Sequence, residues 1–74
     1  MPTYYATFTA YENSSPMGTF EREFEAKDEE EATRIAQEIS EAEERALSIR
    51  HRPRYKGDIA DFWCPCDELY KTED

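Results

Sequence analysis

Four basic side chains alternate along one short segment of the chain, at Arg50, Arg52, Arg54 and Lys56. In a β-strand every second side chain points to the same face, so these cations would line one strand at intervals of about 6.6 Å. Such a row can bind a phosphate backbone or a row of carboxylates. The remaining chain is strongly acidic: the whole chain has 18 Asp and Glu against 9 Lys and Arg, and four of these nine basic residues belong to this row.

The basic row has two interpretations. It is either a solvent-facing row that the surplus of glutamates neutralises, or a contact strip for phosphates or acidic protein, with tyrosines available for stacking. Four like charges in one row repel one another, which favours compensation by a partner. The predicted contact residues on this strip are Arg50, Arg52, Arg54, Tyr55 and Lys56.

A second candidate surface is acidic and falls on a predicted helix. Residues 28–45 contain eight acidic side chains and two arginines. Three of the acids, Glu38, Glu41 and Glu44, form a second candidate contact with a partner. This face is either simply solvated or a mimic of nucleic acid, in which carboxylates occupy a partner's phosphate-binding groove.

Metal binding and catalysis receive little support from the residue types. Normal zinc ligands are present at Cys64, Cys66 and His51, with Asp67 nearby. Structural zinc sites, however, usually contain C-x₂₋₄-C pairs, and the chain has only two cysteines. One histidine leaves little choice of base for a nucleophile, and there is no glycine-rich phosphate loop. We expect free thiols, no metal, no cofactor and no enzymatic activity.

Length and composition predict a single domain, residues 1–74, with aromatic side chains supplying much of a small core. A net charge of −9 favours partners with basic surfaces over non-specific adhesion to nucleic acid or membrane. No apolar run spans a bilayer and no secretion signal opens the chain, so we expect a cytoplasmic protein without membrane association.

The first half of the chain has clear periodicities. Residues 3–11 and 19–26 alternate as strands around a turn-forming segment at 13–18. Asp28 and Glu31 then form a capping pattern for a helix over 28–45. The apolar stripe predicted for this helix consists of Ala32, Ile35, Ala36, Ile39, Ala42 and Ala46.

The second half predicts two more strands, at 46–52 and 59–64, followed by a polar tail at 67–74. The resulting fold is α+β with ββαββ order, a four-stranded antiparallel sheet of order 2-1-3-4, and one helix on one face. The opposite face would be open, with β-strand glutamates, tyrosines, threonines and the basic row exposed. The predicted core is Phe8, Phe20, Phe24, Ile35, Ile39 and Ile49, with Phe62 or Trp63 closing one end.

One stretch resembles a known family. The segments Gly18-Thr19, Phe24-Glu25-Ala26 and Ala32-x-Arg34-Ile35-Ala36 resemble the hairpin-to-helix region of small phage anti-CRISPR proteins, the type I-F inhibitors with ββαββ organisation. The resemblance implies a protein from a phage or mobile element, acting in the host cytoplasm. It also implies binding to a CRISPR surveillance complex, a ribonucleoprotein, so that access to DNA is blocked.

Three hypotheses on function follow. The first is a non-enzymatic protein-interaction module, in the form of an anti-CRISPR-like inhibitor that occludes its partner. The second is a small nucleic-acid-binding domain that uses the open sheet face and the basic strand 50–56; steep salt dependence would distinguish it. The third is a domain whose basic row is merely solvated. The sequence leaves the oligomeric state open.

Overall fold

A computed structural model describes residues 1–53, 55–57 and 60–72. It confirms the predicted α+β class, with a four-stranded antiparallel sheet and one helix in ββαββ order. The elements are β1 (Thr3–Glu12), β2 (Ser15–Glu25), α1 (Glu29–Arg50), β3 (Phe62–Trp63) and β4 (Cys66–Lys71).

β1 is the central strand. It pairs with β2 along one edge, and β3 and β4 share its other edge. The order 2-1-3 is as predicted, and β4 is also hydrogen-bonded to β1. β3 pairs with Tyr11 and Glu12, and β4 pairs with residues 4–8, so the two short strands lie end to end beside β1.

The first hairpin turns more tightly than the sequence predicts. Asn13 and Ser14 have φ angles of 49° and 73°, as a two-residue type I′ turn requires. β2 therefore begins at Ser15, where a loop over 13–18 was expected. A bulge absorbs one residue, because Ala10 pairs with Gly18 while Tyr11 pairs with Pro16.

The helix begins as its capping pattern predicts. The Asp28 carboxylate accepts a hydrogen bond from the Glu31 N–H at 2.9 Å, and the Glu31 carboxylate accepts one from the Lys27 N–H at 3.1 Å. These bonds satisfy amide groups that have no partner within the first helical turn.

The predicted strand at 46–52 is wrong, because α1 continues to Arg50. The His51 N–H still donates to the Leu47 carbonyl at 3.0 Å, as the end of a helix requires. Ala46 and Leu47 are half-buried, one turn beyond the half-buried Glu43, and this spacing continues the buried stripe of the helix.

The core lies between α1 and the inner face of the sheet. Two clusters of buried side chains form it, each built from β1 together with small helix residues. The Phe8 and Phe20 rings stack at 4.8 Å between centroids. The buried hydrophobic residues are Tyr4, Ala6, Phe8, Ala26, Ala32, Ala36 and Cys64, with Phe20, Phe24, Ile35, Ile39 and Leu69 packed against the two clusters.

Two predicted core or stripe positions are wrong. Ile49 is 83% exposed and Ala42 is also exposed, because the buried stripe passes through Ser40 and Glu43. Either Phe62 or Trp63 was predicted to close one end of the core. Phe62 is half-buried, and its ring meets the His51 ring edge-on with 5.7 Å between the ring centroids, whereas Trp63 is exposed.

The chain after the helix differs from the prediction as well. The strand predicted at 59–64 is limited, in its described part, to Phe62–Trp63, and the predicted polar tail contains β4. β4 is held because Leu69 packs on the core, and because both the N–H and the hydroxyl of Thr72 donate to the Thr3 carbonyl at 3.0 and 3.1 Å.

Candidate protein-binding surface

The face of the sheet turned away from α1 is open. On β1, Tyr4, Ala6 and Phe8 are buried beneath the helix, so the intervening side chains point to the other side. The strand register places their neighbours on β2, β3 and β4. We call the following residues the acidic sheet face, in which Asp67 is placed by its hydrogen bond with Thr9: Tyr5, Thr7, Thr9, Tyr11, Glu21, Glu23, Glu25, Trp63, Asp67, Glu68 and Tyr70.

Two pairs of aromatic rings lie on this face. Tyr5 and Tyr70 have ring centroids 5.3 Å apart, and Tyr11 and Trp63 stack at 5.4 Å. Tyr5 and Tyr11 are six positions apart on one strand, which separates the pairs by about 20 Å. Trp63 is 59% exposed and Tyr70 is 47% exposed. Exposed, rigid aromatic rings of this kind are enriched in protein interfaces.

Carboxylates flank the threonines between these aromatic pairs. Thr7 lies opposite Glu21 on β2 and Glu68 on β4. The hydroxyl of Thr9 donates a hydrogen bond to the Asp67 carboxylate at 2.5 Å. Glu23 and Glu25 extend the row along β2, so both neighbours of β1 present negative charge.

The two cations of the described strands lie on the opposite side of the sheet. Arg22 pairs with Ala6, and its guanidinium carbon lies 4.9 Å from the Phe20 ring centroid. Lys71 pairs with Tyr4, which is buried beneath the helix. The acidic sheet face therefore carries only negative formal charge.

The sequence predicts part of this surface correctly. The tyrosines and threonines of β1 and the glutamates of β2 share the open face, as expected. The basic row expected beside them is wrong, because Trp63, Glu68 and Tyr70 occupy that edge of β1. These residues were missed because β4 contains one core-packed side chain, Leu69, which gives a weak strand pattern.

The described residues of the predicted basic strip do not form a strand. Arg50 ends the helix, with its guanidinium 3.9 Å from the Glu43 carboxylate, and Arg52 lies exposed beyond the helix. Tyr55 is 68% exposed, and Lys56 lies in a turn. Arg54 lies outside the described residues, so its place in the strip stays a prediction.

The predicted acidic residues of the helix divide into two groups. Glu38 and Glu41 are exposed on the outer side, where Gln37 donates a hydrogen bond to the Glu41 carboxylate at 3.2 Å. Glu44 turns towards the sheet and is half-buried, and its carboxylate accepts a hydrogen bond from the Cys64 N–H at 3.2 Å. Only Glu38 and Glu41 thus remain a candidate outer surface.

Cys64 connects the second half of α1 to the sheet. It is fully buried, its carbonyl accepts a hydrogen bond from the Ser40 hydroxyl, and its N–H donates to Glu44. Burial, followed by the charges of Glu44 and Glu43, raises the pKa of the Cys64 thiol. A raised pKa disfavours the thiolate, the reactive form.

The second cysteine is exposed, and it too is held as a thiol. The Cys66 thiol donates to the Glu68 carbonyl at 3.3 Å, and partial desolvation of the sulfur, followed by the Asp67 charge, raises the pKa of the thiol. Both cysteines are free. Across the described residues, no group of three or more His, Cys, Asp and Glu side chains is arranged to hold a metal ion.

Comparisons with known proteins place this chain in no group. No protein-family model matches the sequence, and no curated protein or solved structure matches it significantly. Separately, within the described part of the chain, no helix has the length and apolar character needed to cross a membrane.

Proposed function

We propose that the chain is a non-enzymatic protein-binding module whose acidic sheet face docks on a basic surface of a partner protein. The observation that carries the proposal is the combination of five carboxylates with two aromatic pairs on one open sheet face. The aromatic rings supply apolar contact area, and the carboxylates supply charge complementarity and faster association.

The resemblance to anti-CRISPR proteins suggests a particular form of this function. A CRISPR effector holds nucleic acid in a positively charged channel. An acidic module that occupies such a surface, within the host cytoplasm, excludes DNA without any chemical reaction. The proposed partner is accordingly a type I-F surveillance complex, and the inhibitor acts by steric and electrostatic occlusion.

The second candidate function, nucleic-acid binding, has weaker support. It depends on the open sheet face and a basic strand 50–56, whereas the open face is acidic and Arg50 is helical. The exposed Arg52 and Lys56 leave a phosphate contact outside the sheet as the remaining basis for this function.

A matched pair of neutralised variants tests the proposal. Glu21→Gln with Glu23→Gln removes two charges from the acidic sheet face, and Glu38→Gln with Glu41→Gln removes two exposed charges from the helix. We expect the first variant to bind the purified surveillance complex at least tenfold more weakly, and the second to change affinity less than twofold. Circular dichroism spectra of both variants should match that of the parent, which would show that both variants fold.

The other outcomes identify a different surface. An equal loss in both variants would indicate a non-specific effect of net charge, and a larger loss in the helix variant would move the contact to α1. Charge reversal of Arg52 and Arg54 to Glu should change the affinity for the surveillance complex less than twofold. A tenfold loss of affinity would assign the contact to the basic strip. Absence of binding by the parent would reject this partner.

A further inference from the structure

A cleft of about 660 Å³ lies where the acidic sheet face meets the first hairpin. Its walls combine three aromatic rings, from Tyr11, Phe62 and Trp63, with two carboxylates, from Glu44 and Asp61. The hairpin turn closes one side. Among the described residues, none of those that line the cleft is a lysine or an arginine.

The walls of the cleft are held by interactions within the fold. The Asn13 N–H donates to the Asp61 carbonyl at 2.9 Å, and the Asp61 N–H donates to the Asn13 side-chain oxygen at 2.9 Å. Tyr11 stacks on Trp63, and Glu44 is fixed by the Cys64 N–H. A site whose walls are already fixed loses less conformational entropy when a ligand binds.

The lining selects a cation. Two carboxylates in one cleft repel an anion, and burying them against an apolar ligand would leave their charges without compensation. The faces of Trp and Tyr rings attract cations, Trp most strongly. Guanidinium meets both requirements, because its plane stacks on an aromatic face while its edge donates two parallel hydrogen bonds to a carboxylate.

We propose that this cleft binds an arginine side chain of the partner protein. The guanidinium would stack on Trp63 and donate hydrogen bonds to the Asp61 carboxylate, because the Glu44 carboxylate already accepts a hydrogen bond from the Cys64 N–H. This inference rests on the proposed function for its partner and deepens it, since it names the side chain that anchors the partner at one end of the acidic sheet face. Arginine residues in pockets are frequent energetic centres of protein interfaces.

Trp63 is the only tryptophan of the chain, so its fluorescence reports directly on the cleft. We would titrate the full chain with acetyl-Gly-Arg-Gly-amide, and with matched peptides containing lysine or the neutral isostere citrulline. The arginine peptide should change the fluorescence saturably, the lysine peptide should bind at least threefold more weakly, and the citrulline peptide should leave it unchanged.

Two substitutions locate the binding. Asp61→Asn keeps the shape of the side chain and removes its charge, and Tyr11→Leu removes the ring stacked on Trp63. Each should weaken arginine-peptide binding at least fivefold, whereas Glu41→Gln, on the outer side of the helix, should leave it within twofold. The thermal unfolding midpoint of each variant establishes that the fold persists.

The results distinguish this inference from the proposed function. No saturable change with the arginine peptide overturns the inference, even where the sheet-face variants still alter partner binding. Equal affinity for lysine and arginine, or an unchanged affinity in Asp61→Asn, also overturns it. Arginine binding that persists while the surveillance complex fails to bind supports the cleft and rejects the proposed partner.

Discussion

The two halves of α1 are attached to the sheet by different kinds of interaction. In the first half, Ala32 and Ala36 are buried against β1, where Tyr4, Ala6 and Phe8 form the opposing surface. These contacts are apolar and non-directional, and their stabilising effect follows the area removed from water. Small alanine side chains allow the helix to approach the sheet closely.

Beyond Ile39, hydrogen bonds between specific polar atoms attach the helix to the sheet. Ser40 is buried and donates a hydrogen bond to the Cys64 carbonyl, while Glu44 accepts one from the Cys64 N–H. At the end of the helix, the His51 ring meets Phe62 edge-on. Loss of one hydrogen-bonding atom here leaves another polar group unsatisfied, so the second half is sensitive to single-atom changes.

The largest expected effect on the free energy of unfolding lies in the first half of α1, which we call the apolar half. Phe8 is fully buried and stacks on Phe20, so Phe8→Ala should lower the free energy of unfolding by about 3–5 kcal/mol. That cost approaches the total stability of a small domain. Urea unfolding followed by circular dichroism measures the change.

A second substitution provides a reference for this result. Phe24 is only half-buried, so Phe24→Ala should lower the free energy of unfolding by less than Phe8→Ala does. The decrease should also be smaller than the roughly 3–5 kcal/mol expected for a fully buried phenylalanine. A Phe8→Ala variant that unfolds at the same urea concentration as the parent would show that the first half is not held by this packing.

A smaller effect on the free energy of unfolding is expected in the second half of α1, which we call the polar half. Ser40→Ala leaves the buried Cys64 carbonyl without its hydrogen-bond donor and should cost about 1–3 kcal/mol. Ser48→Ala is the control, because Ser48 is exposed on the same helix and alanine favours helix formation. The free energy of unfolding of both variants is compared with that of the parent.

Amide hydrogen exchange sharpens the comparison between the halves. In Ser40→Ala, exchange should accelerate in residues 41–50 more than in residues 29–39, because the second half of the helix loses one of its two hydrogen bonds to Cys64, whereas the apolar contacts of the first half are unchanged. Equal acceleration along the whole helix would mean that the two halves open as one unit. Identical stability of Ser40→Ala and Ser48→Ala would mean that the hydrogen bond from Ser40 to Cys64 contributes nothing measurable to the stability of the fold.

The apolar half was predictable from sequence. The cap formed by Asp28 and Glu31, and the burial of Ala32 and Ala36, follow from local spacing that the structure confirms. The two long strands also follow from alternation, since each side chain of a strand has a fixed face. The β1 and β2 part of the acidic sheet face was therefore predicted with them.

The polar half was not predictable in the same way. The bond from Ser40 to Cys64 joins residues 24 positions apart, and no local period encodes such a contact. Leu47, Ile49 and His51 alternate over only five residues, too few to separate a strand from the last turns of a helix. The edge of the acidic sheet face formed by Trp63 and Tyr70 was lost with this error.

Ile49 provides the smallest effect and the sharpest check on how the helix ends. In a buried strand, Ile49→Ala would create a cavity and cost about 2–5 kcal/mol. In the last turn of α1 the side chain is 83% exposed, so the same substitution should change the free energy of unfolding by less than about 0.5 kcal/mol. Leu47→Ala is the matched control, because Leu47 is half-buried on the same helix and should cost clearly more. If Ile49→Ala were the more damaging of the two, the helix would have to be rotated or shorter, and the polar attachment of its second half to Cys64 would fail with it.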